Sequence, residues 1–156
     1  MRTTQDVDVS LLCDFGAEAE YAGVLLEAFP SRITDGADFA KINRVLLLRA
    51  SNNVSIDVSL AGLPFEKNMV ERASRFDYST ECSLLTCSAE DLIVLKAFAD
   101  REVDWGDIRG IVCRQGERLD CHYITEQLRP LCKLKEVPEI MDKLDRVLKE
   151  NFAAKK

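Results

Sequence analysis

The chain has 156 residues, of which 47% are hydrophobic and 31% charged, and its formal net charge is −6. This length predicts one domain, or one domain with a small helical appendage. The negative charge argues against a broad nucleic-acid-binding surface. No apolar run approaches the roughly 20 residues of a membrane-spanning helix, and residues 1–10 lack the basic-then-apolar pattern of a signal peptide. We therefore expect a cytoplasmic protein without a membrane partner.

The first half of the chain mixes strand and helix patterns. Strict alternation of apolar and polar residues predicts half-buried strands, and the Asn52–Asn53 turn predicts that two of them form a hairpin. The predicted elements are a strand at residues 6–13, a helix from Gly16 to Phe29, a loop at 31–41, strands at 44–50 and 54–60, a helix from Pro64 to Ala73, and two short strands at 76–78 and 82–86 that close the sheet.

The second half of the chain is predicted to be helical. Ser88 is a favourable N-cap with Asp91 as its capping-box partner, and Gly116 is a favourable C-cap. The predicted helices run from residue 88 to about 100, from about 104 to 115, from about 120 to 129 before Pro130, and from Pro138 onwards. The fold class is therefore α+β, with a core at residues 1–87 and a helical segment at residues 88–152 packed on it.

Three carboxylates on predicted strands carry the chemistry. Asp6 and Asp8 lie on one face of the first strand, and Asp57 lies on the polar face of another. Such a set can bind Mg²⁺ or Mn²⁺, because hard cations prefer carboxylates together with phosphate oxygens. Two bound metal ions would suit phosphoryl or nucleotidyl transfer, with Asp57 helping to deprotonate an attacking hydroxyl. The alternative is an ordinary solvated edge-strand face.

The six cysteines include no C-x-x-C pair. In a reducing compartment they are expected to be free thiols, several of them buried as small apolar side chains. Cys121 lies beside His122, the single histidine, but no second close pair supports a zinc site.

The motifs resemble the nucleotidyltransferase superfamily, and within it the AbiEii-like group of small proteins that are often associated with toxin–antitoxin systems. The resemblance covers residues 2 to about 120 and rests on three pieces in the expected order. These are Arg2-x-Thr4-x-Asp6-Val7-Asp8; Ile56-Asp57-Val58 followed by Leu63-Pro64-Phe65-Glu66 and Arg72-Ala73; and Ala89-Glu90-Asp91-Leu92-Ile93 followed by Lys96, Arg101, Asp104, Asp107 and Ile108.

This resemblance implies a nucleotidyltransferase-like mixed sheet with flanking helices, followed by a helical bundle. It implies that Asp6, Asp8 and Asp57 are catalytic metal ligands and that an NTP is the substrate. Arg2, Thr4 and Lys96 would contact the nucleotide, with Lys96 near the triphosphate. Asp104 and Asp107 would orient Lys96, Arg101 or the nucleotide. The alternative is that this second group is a solvated helix face with weak ion pairs.

One part of the superfamily pattern is missing. The Gly-Gly or Gly-Ser turn whose backbone amides bind the phosphates should precede the Asp6–Asp8 strand, and none of the seven glycines stands there. A late start, a degenerate relative and a partner chain that supplies the element are all open explanations. The absence would leave an apolar sheet face uncovered, so we expect a homo-oligomer, a partner chain or an exposed patch.

Two functions follow. The first is a metal-dependent nucleotidyltransferase that moves a nucleoside monophosphate from an NTP to a hydroxyl of RNA, protein or a small molecule. The second is a non-catalytic protein that uses the same scaffold for nucleotide sensing or partner docking. Whether the chain is an enzyme stays open between them.

Overall fold

The structure is a computed structural model that describes residues 6–153, and this part of the chain is α+β. The strands are β1 (Asp6–Leu12), β2 (Val45–Arg49), β3 (Ser55–Ala61), β4 (Ser74–Asp77) and β5 (Ser83–Thr86). The helices are α1 (Glu18–Ala28), α2 (Gly36–Asn43), α3 (Pro64–Glu71), α4 (Ala89–Ala99), α5 (Glu102–Gln115), α6 (Cys121–Lys135) and α7 (Glu139–Ala153). None of these helices is both long enough and apolar enough to cross a membrane.

The chain forms two compact units that divide between Glu71 and Arg72. The sequence pattern places the start of the helical segment later, at Ser88, where the apolar spacing becomes helical. The hairpin of β4 and β5 lies between these two points and accounts for the difference. The first unit holds the mixed sheet, and the second holds this hairpin with helices α4 to α7.

The sheet of the first unit has the order β1-β3-β2. β1 runs parallel to β3, and β2 runs antiparallel to β3, so the predicted hairpin is confirmed. Its turn is stabilised by Asn52, whose side-chain oxygen accepts from the Val54 amide at 3.2 Å, and Asn53 adopts a left-handed conformation with φ 71°. Asparagine is among the residues that tolerate this conformation best.

The core of the first unit lies between the sheet and its helices. Leu46 and Leu48 of β2 are fully buried, as is Ala22 of α1. Burying such side chains is the main favourable contribution to folding. The buried members of this core are Cys13, Ala22, Ala40, Leu46, Leu48, Val58 and Leu60.

The loop predicted at residues 31–41 is wrong, because α2 begins at Gly36. The turn-forming Asp35 adopts a left-handed conformation with φ 57° immediately before the helix, and Ala40 is buried in the core. A Cβ at Gly36 would overlap the Ser31 hydroxyl, so glycine permits the close approach of these two segments. Turn formers here start a short helix that packing stabilises.

The prediction that residues 76–78 and 82–86 close the main sheet is also wrong. β4 and β5 pair with each other in a separate two-stranded sheet, with Phe76 opposite Leu84. Both of these side chains are exposed. The sequence indicated two short strands here but did not show that they pair with each other rather than with the main sheet.

Helices α4 to α7 pack together in the second unit, with α4 in contact with α5, α6 and α7. The Ser88 cap is confirmed, since its side chain accepts from the Asp91 amide at 3.1 Å, and Gly116 follows α5 with φ 57°. The predicted end of α6 before Pro130 is wrong, because the helix continues to Lys135. Leu128 and Leu131 are buried on either side of the exposed proline, and their burial outweighs the lost backbone hydrogen bond.

Candidate functional site

The polar face of the first unit's sheet carries the three predicted strand carboxylates. In the parallel register of β1 and β3, Asp8 stands opposite Asp57, and Asp6 stands opposite Ser55. Neighbouring strands lie about 4.8 Å apart, and side chains of equal parity share a face. Asp8 and Asp57 are therefore adjacent, and Asp6 lies two residues earlier on the same face.

An arginine that the sequence analysis did not identify reaches this face. The guanidinium of Arg32 forms an ion pair and hydrogen bond with Asp57 Oδ1. The side chains are 23% exposed for Arg32 and 35% exposed for Asp57. Arg32 falls in the segment predicted as a loop, where no periodicity indicates the direction of a side chain. The pairing therefore had no signal in the sequence.

Carboxylates are the ligand type that Mg²⁺ and Mn²⁺ prefer, so the donor chemistry of Asp8 and Asp57 fits either ion. Among residues 6–153, no group of three or more histidine, cysteine, aspartate or glutamate side chains is arranged to hold a metal ion. Arg2 and Thr4, predicted to contact a nucleotide, lie outside the described residues.

The opposite face of the same sheet is apolar and partly open. Val7 and Val9 of β1 are 49% and 39% exposed. They border a groove of about 510 Å³. The apolar side chains lining the groove are Val7, Val9, Leu11, Leu25, Phe29, Leu48, Ala50, Val54, Ile56 and Val58. An exposed apolar patch was expected at this face, and the two valines are part of it.

The second unit brings together Lys96, Asp104 and Asp107. The Lys96 ammonium donates to Asp107 at 2.7 Å and to Asp104 at 3.3 Å. Arg101 donates from Nε to Asp104 at 2.6 Å. Asp104 is 1% exposed, so the alternative of a fully solvated helix face is wrong for this residue. The cluster connects α4 to α5, and a role in nucleotide binding stays a prediction.

Two carboxylates near the start of α5 have lowered pKa values. Burial alone would raise the pKa of Asp104, but hydrogen bonds and charges from Arg101 and Lys96 outweigh it and lower the pKa below its usual value. The pKa of Asp100 is lowered chiefly by its hydrogen bond from Lys143, at 2.8 Å. Both groups therefore favour the charged form in the folded protein.

A second buried carboxylate, Asp91, lies at the start of α4 and is 0% exposed. It accepts hydrogen bonds from the Ser88 hydroxyl at 2.7 Å and from the Tyr123 hydroxyl at 2.6 Å. Arg72 lies 3.6 Å from Asp91 Oδ2 and stacks on the Tyr123 ring at 4.1 Å. Burial, together with the neighbouring Asp91, raises the pKa of Tyr123 far above its usual value. Tyr123 therefore remains a donor at neutral pH.

We expect Tyr123→Phe to lower the free energy of unfolding by about 2 kcal/mol, because a buried carboxylate would lose a donor. Urea unfolding followed by the fluorescence of Trp105 measures this change in the second unit. Tyr78→Phe is the control, since Tyr78 is 75% exposed and its change should stay within about 0.5 kcal/mol. Equal effects of the two substitutions would contradict the assigned role of Tyr123.

Neither Cys121 nor His122 lies in a metal-binding group within residues 6–153. His122 Nδ1 lies 3.5 Å from Glu126 on the exposed side of α6. Burial and the charges of Asp120 and Glu90 raise the pKa of the Cys121 thiol. The surroundings of Cys121 therefore disfavour the thiolate form of this side chain.

Comparison with known proteins gives no match to the chain, either among protein-family models or among curated proteins.

Proposed function

We propose that the chain is a metal-dependent nucleotidyltransferase-like protein that acts in the cytoplasm on an NTP and a hydroxyl acceptor. The proposal is supported chiefly by the register that sets Asp8 beside Asp57, with Asp6 on the same strand face. The resemblance of the surrounding motifs to the AbiEii-like nucleotidyltransferases supports it as well. The acceptor would be RNA, protein or a small molecule.

The chemistry assigned to these residues is transfer of a nucleoside monophosphate. Asp8 and Asp57 would hold Mg²⁺ or Mn²⁺, with Asp6 on the same strand face. The bound ion would neutralise phosphate charge and orient the reacting oxygens. Asp57 accepts the proton of the acceptor hydroxyl as its oxygen attacks the α-phosphorus and pyrophosphate leaves. Two carboxylates suffice from the protein, because Mg²⁺ completes its coordination with phosphate oxygens and water.

We expect millimolar NTP with Mg²⁺ to raise the melting temperature, because a ligand that binds only the folded state stabilises it. Thermal melts with each of the four ribonucleoside triphosphates test this, so base preference does not decide the result. Asp8→Asn and Asp57→Asn should abolish the shift. Asp38→Asn is the matched control, since Asp38 is exposed on α2 and pairs with Lys41. The proposal would be contradicted if NTP with Mg²⁺ left the melting temperature of the unmodified protein unchanged. It would also be contradicted if Asp57→Asn showed the same rise as the unmodified protein.

The second candidate is a non-catalytic protein of the same scaffold that senses nucleotides or docks a partner. The open apolar groove beside β1 favours it, because exposed apolar surface often marks an interaction site. This function predicts that the triple variant with Asp6, Asp8 and Asp57 all changed to asparagine keeps its oligomeric state. Light scattering coupled to size-exclusion chromatography measures that state, and dissociation or aggregation of the variant would contradict this function.

A further inference from the structure

Arg32 is anchored beside β2 by its own backbone. Its amide donates to the Leu47 carbonyl at 2.8 Å, and Leu47 is the register partner of Asp57. Asp57 in turn is the register partner of Asp8. The four residues therefore form one row across the sheet, with Arg32 and Asp8 on either side of Asp57.

Arg32 uses only part of its hydrogen-bonding capacity in this row. One terminal nitrogen donates to Asp57, whereas Nε is buried and has no hydrogen-bond partner within residues 6–153. A guanidinium has five N–H donors in a planar fork that matches the oxygens of a phosphate. The side chain also remains partly exposed. The terminal nitrogens of this partly exposed side chain, rather than the buried Nε, can therefore receive an anion that approaches the carboxylates from solvent.

The positive charge of Arg32 competes with a metal ion. Its guanidinium holds the Oδ1 oxygen of Asp57, and a divalent cation on Asp57 and Asp8 would need that carboxylate and would repel the guanidinium. The phosphates that arrive with the cation would offer the displaced guanidinium new acceptors. Each ligand thereby favours the binding of the other.

We infer that Arg32 is a switch residue that binds Asp57 in the metal-free protein and exchanges it for the phosphates of an NTP when a divalent cation binds. This inference rests on the proposed function, because it assigns a regulatory step to the same carboxylates. The row of Arg32, Leu47, Asp57 and Asp8 across the sheet and the partial exposure of the Arg32 side chain support this inference.

The test uses Mn²⁺ as the metal and tripolyphosphate as a phosphate chain without a base. Electron paramagnetic resonance of free Mn²⁺ measures metal affinity without phosphate, and isothermal titration with preformed Mn²⁺–tripolyphosphate measures affinity for the complex. Arg32→Gln should bind Mn²⁺ about fivefold more tightly when no phosphate is present, since a partly exposed ion pair is modest in strength. The same variant should bind Mn²⁺ with tripolyphosphate more weakly than the unmodified protein.

Arg49→Gln is the matched control. Arg49 stands on β2 opposite Ser55 and donates to Asn53 rather than to a strand carboxylate, so its removal changes the net charge equally. Both affinities should stay within about twofold of the unmodified protein. Arg32→Lys keeps the charge but loses the planar fork, so it should retain the Mn²⁺ affinity and lose affinity for tripolyphosphate.

The outcomes separate the inference from the proposed function. If the unmodified protein and Asp57→Asn bind Mn²⁺ equally, the metal site itself fails. If Mn²⁺ binding depends on Asp57 but Arg32→Gln binds it no more tightly, the switch is overturned while the metal site stands. If Arg32→Gln does not fold, Arg32→Lys decides, and unchanged tripolyphosphate affinity in that variant overturns the inference.

Discussion

Asp104→Ala is expected to lower the free energy of unfolding of the second unit by about 3 kcal/mol, because the substitution removes the charge-assisted hydrogen bonds that this buried carboxylate accepts. Asp104 is buried and accepts from both Lys96 and Arg101. The exposed Arg101 can turn to water, and Lys96 keeps Asp107, so the loss lies at the lower end for buried pairs. Urea unfolding followed by Trp105 fluorescence reports on this unit.

The pH dependence of the free energy of unfolding provides a second test of the same cluster. The pKa of Asp104 is lowered in the folded state, so the unfolded state takes up the proton first as pH falls. The stabilisation is therefore present above the unfolded value of about 3.9 and is lost as pH falls through the lower folded value. Asp104→Ala should show a shallower loss of stability below about pH 4 than the unmodified protein.

Asp145→Ala is the control for Asp104→Ala. Asp145 is exposed on α7 and pairs with Lys149 one turn away, so its removal should change the free energy of unfolding by less than about 0.5 kcal/mol. Two outcomes would show that the Asp104 cluster stabilises the unit no more than a surface ion pair does. One is an equal loss of unfolding free energy in both variants, and the other is an unchanged loss of stability at acidic pH in Asp104→Ala.

Arg44→Ala is expected to destabilise the first unit by about 3 kcal/mol, because one side chain satisfies several groups at once. Its guanidinium pairs with Glu18 and donates to the Leu60 carbonyl at 2.9 Å and the Cys13 carbonyl at 2.6 Å. It also stacks on Phe15 at 4.2 Å. Arg44 thus connects α1 to the ends of β1 and β3.

Native-state hydrogen exchange of the β3 amides measures this effect, since it reports the free energy of opening in the sheet itself. Arg49→Ala is the control, because Arg49 is exposed and donates to the Asn53 side chain in the turn at 3.3 Å. Exchange rates that respond equally to the two substitutions would contradict the structural role of Arg44.

The strands and most helices of this protein could be predicted from periodicity alone. Alternation in residues 54–60 gave β3 correctly, and the Ser88 cap gave the start of α4. Helix α2 and the continuation of α6 through Pro130 could not be predicted, because both depend on burial against other segments and override local turn or breaker signals. The pairing of β4 with β5 in a separate sheet was not predicted either, because a strand pattern does not identify the strand's pairing partner.

The candidate site, too, could be predicted only in part from the sequence. That Asp8 and Asp57 each lie on a polar strand face follows from alternation, but their direct juxtaposition needed the parallel register of β1 and β3. The ion pair of Arg32 with Asp57 joins residues far apart in the chain and left no local pattern. The burial of Asp104 excludes, for this residue, the alternative of a solvated helix face, and the helical spacing of Asp104 and Asp107 could not decide that point.

The position of β1 at the edge of its sheet affects how readily this strand opens locally. β1 pairs with β3 alone among the described strands, so alternate N–H groups along it point away from the sheet. Its amides should therefore exchange with deuterium faster than those of the central β3. A cation bound by both Asp8 and Asp57 would link β1 to β3 and stabilise their pairing. Metal-dependent slowing of exchange along β1 would then report binding without any knowledge of the acceptor.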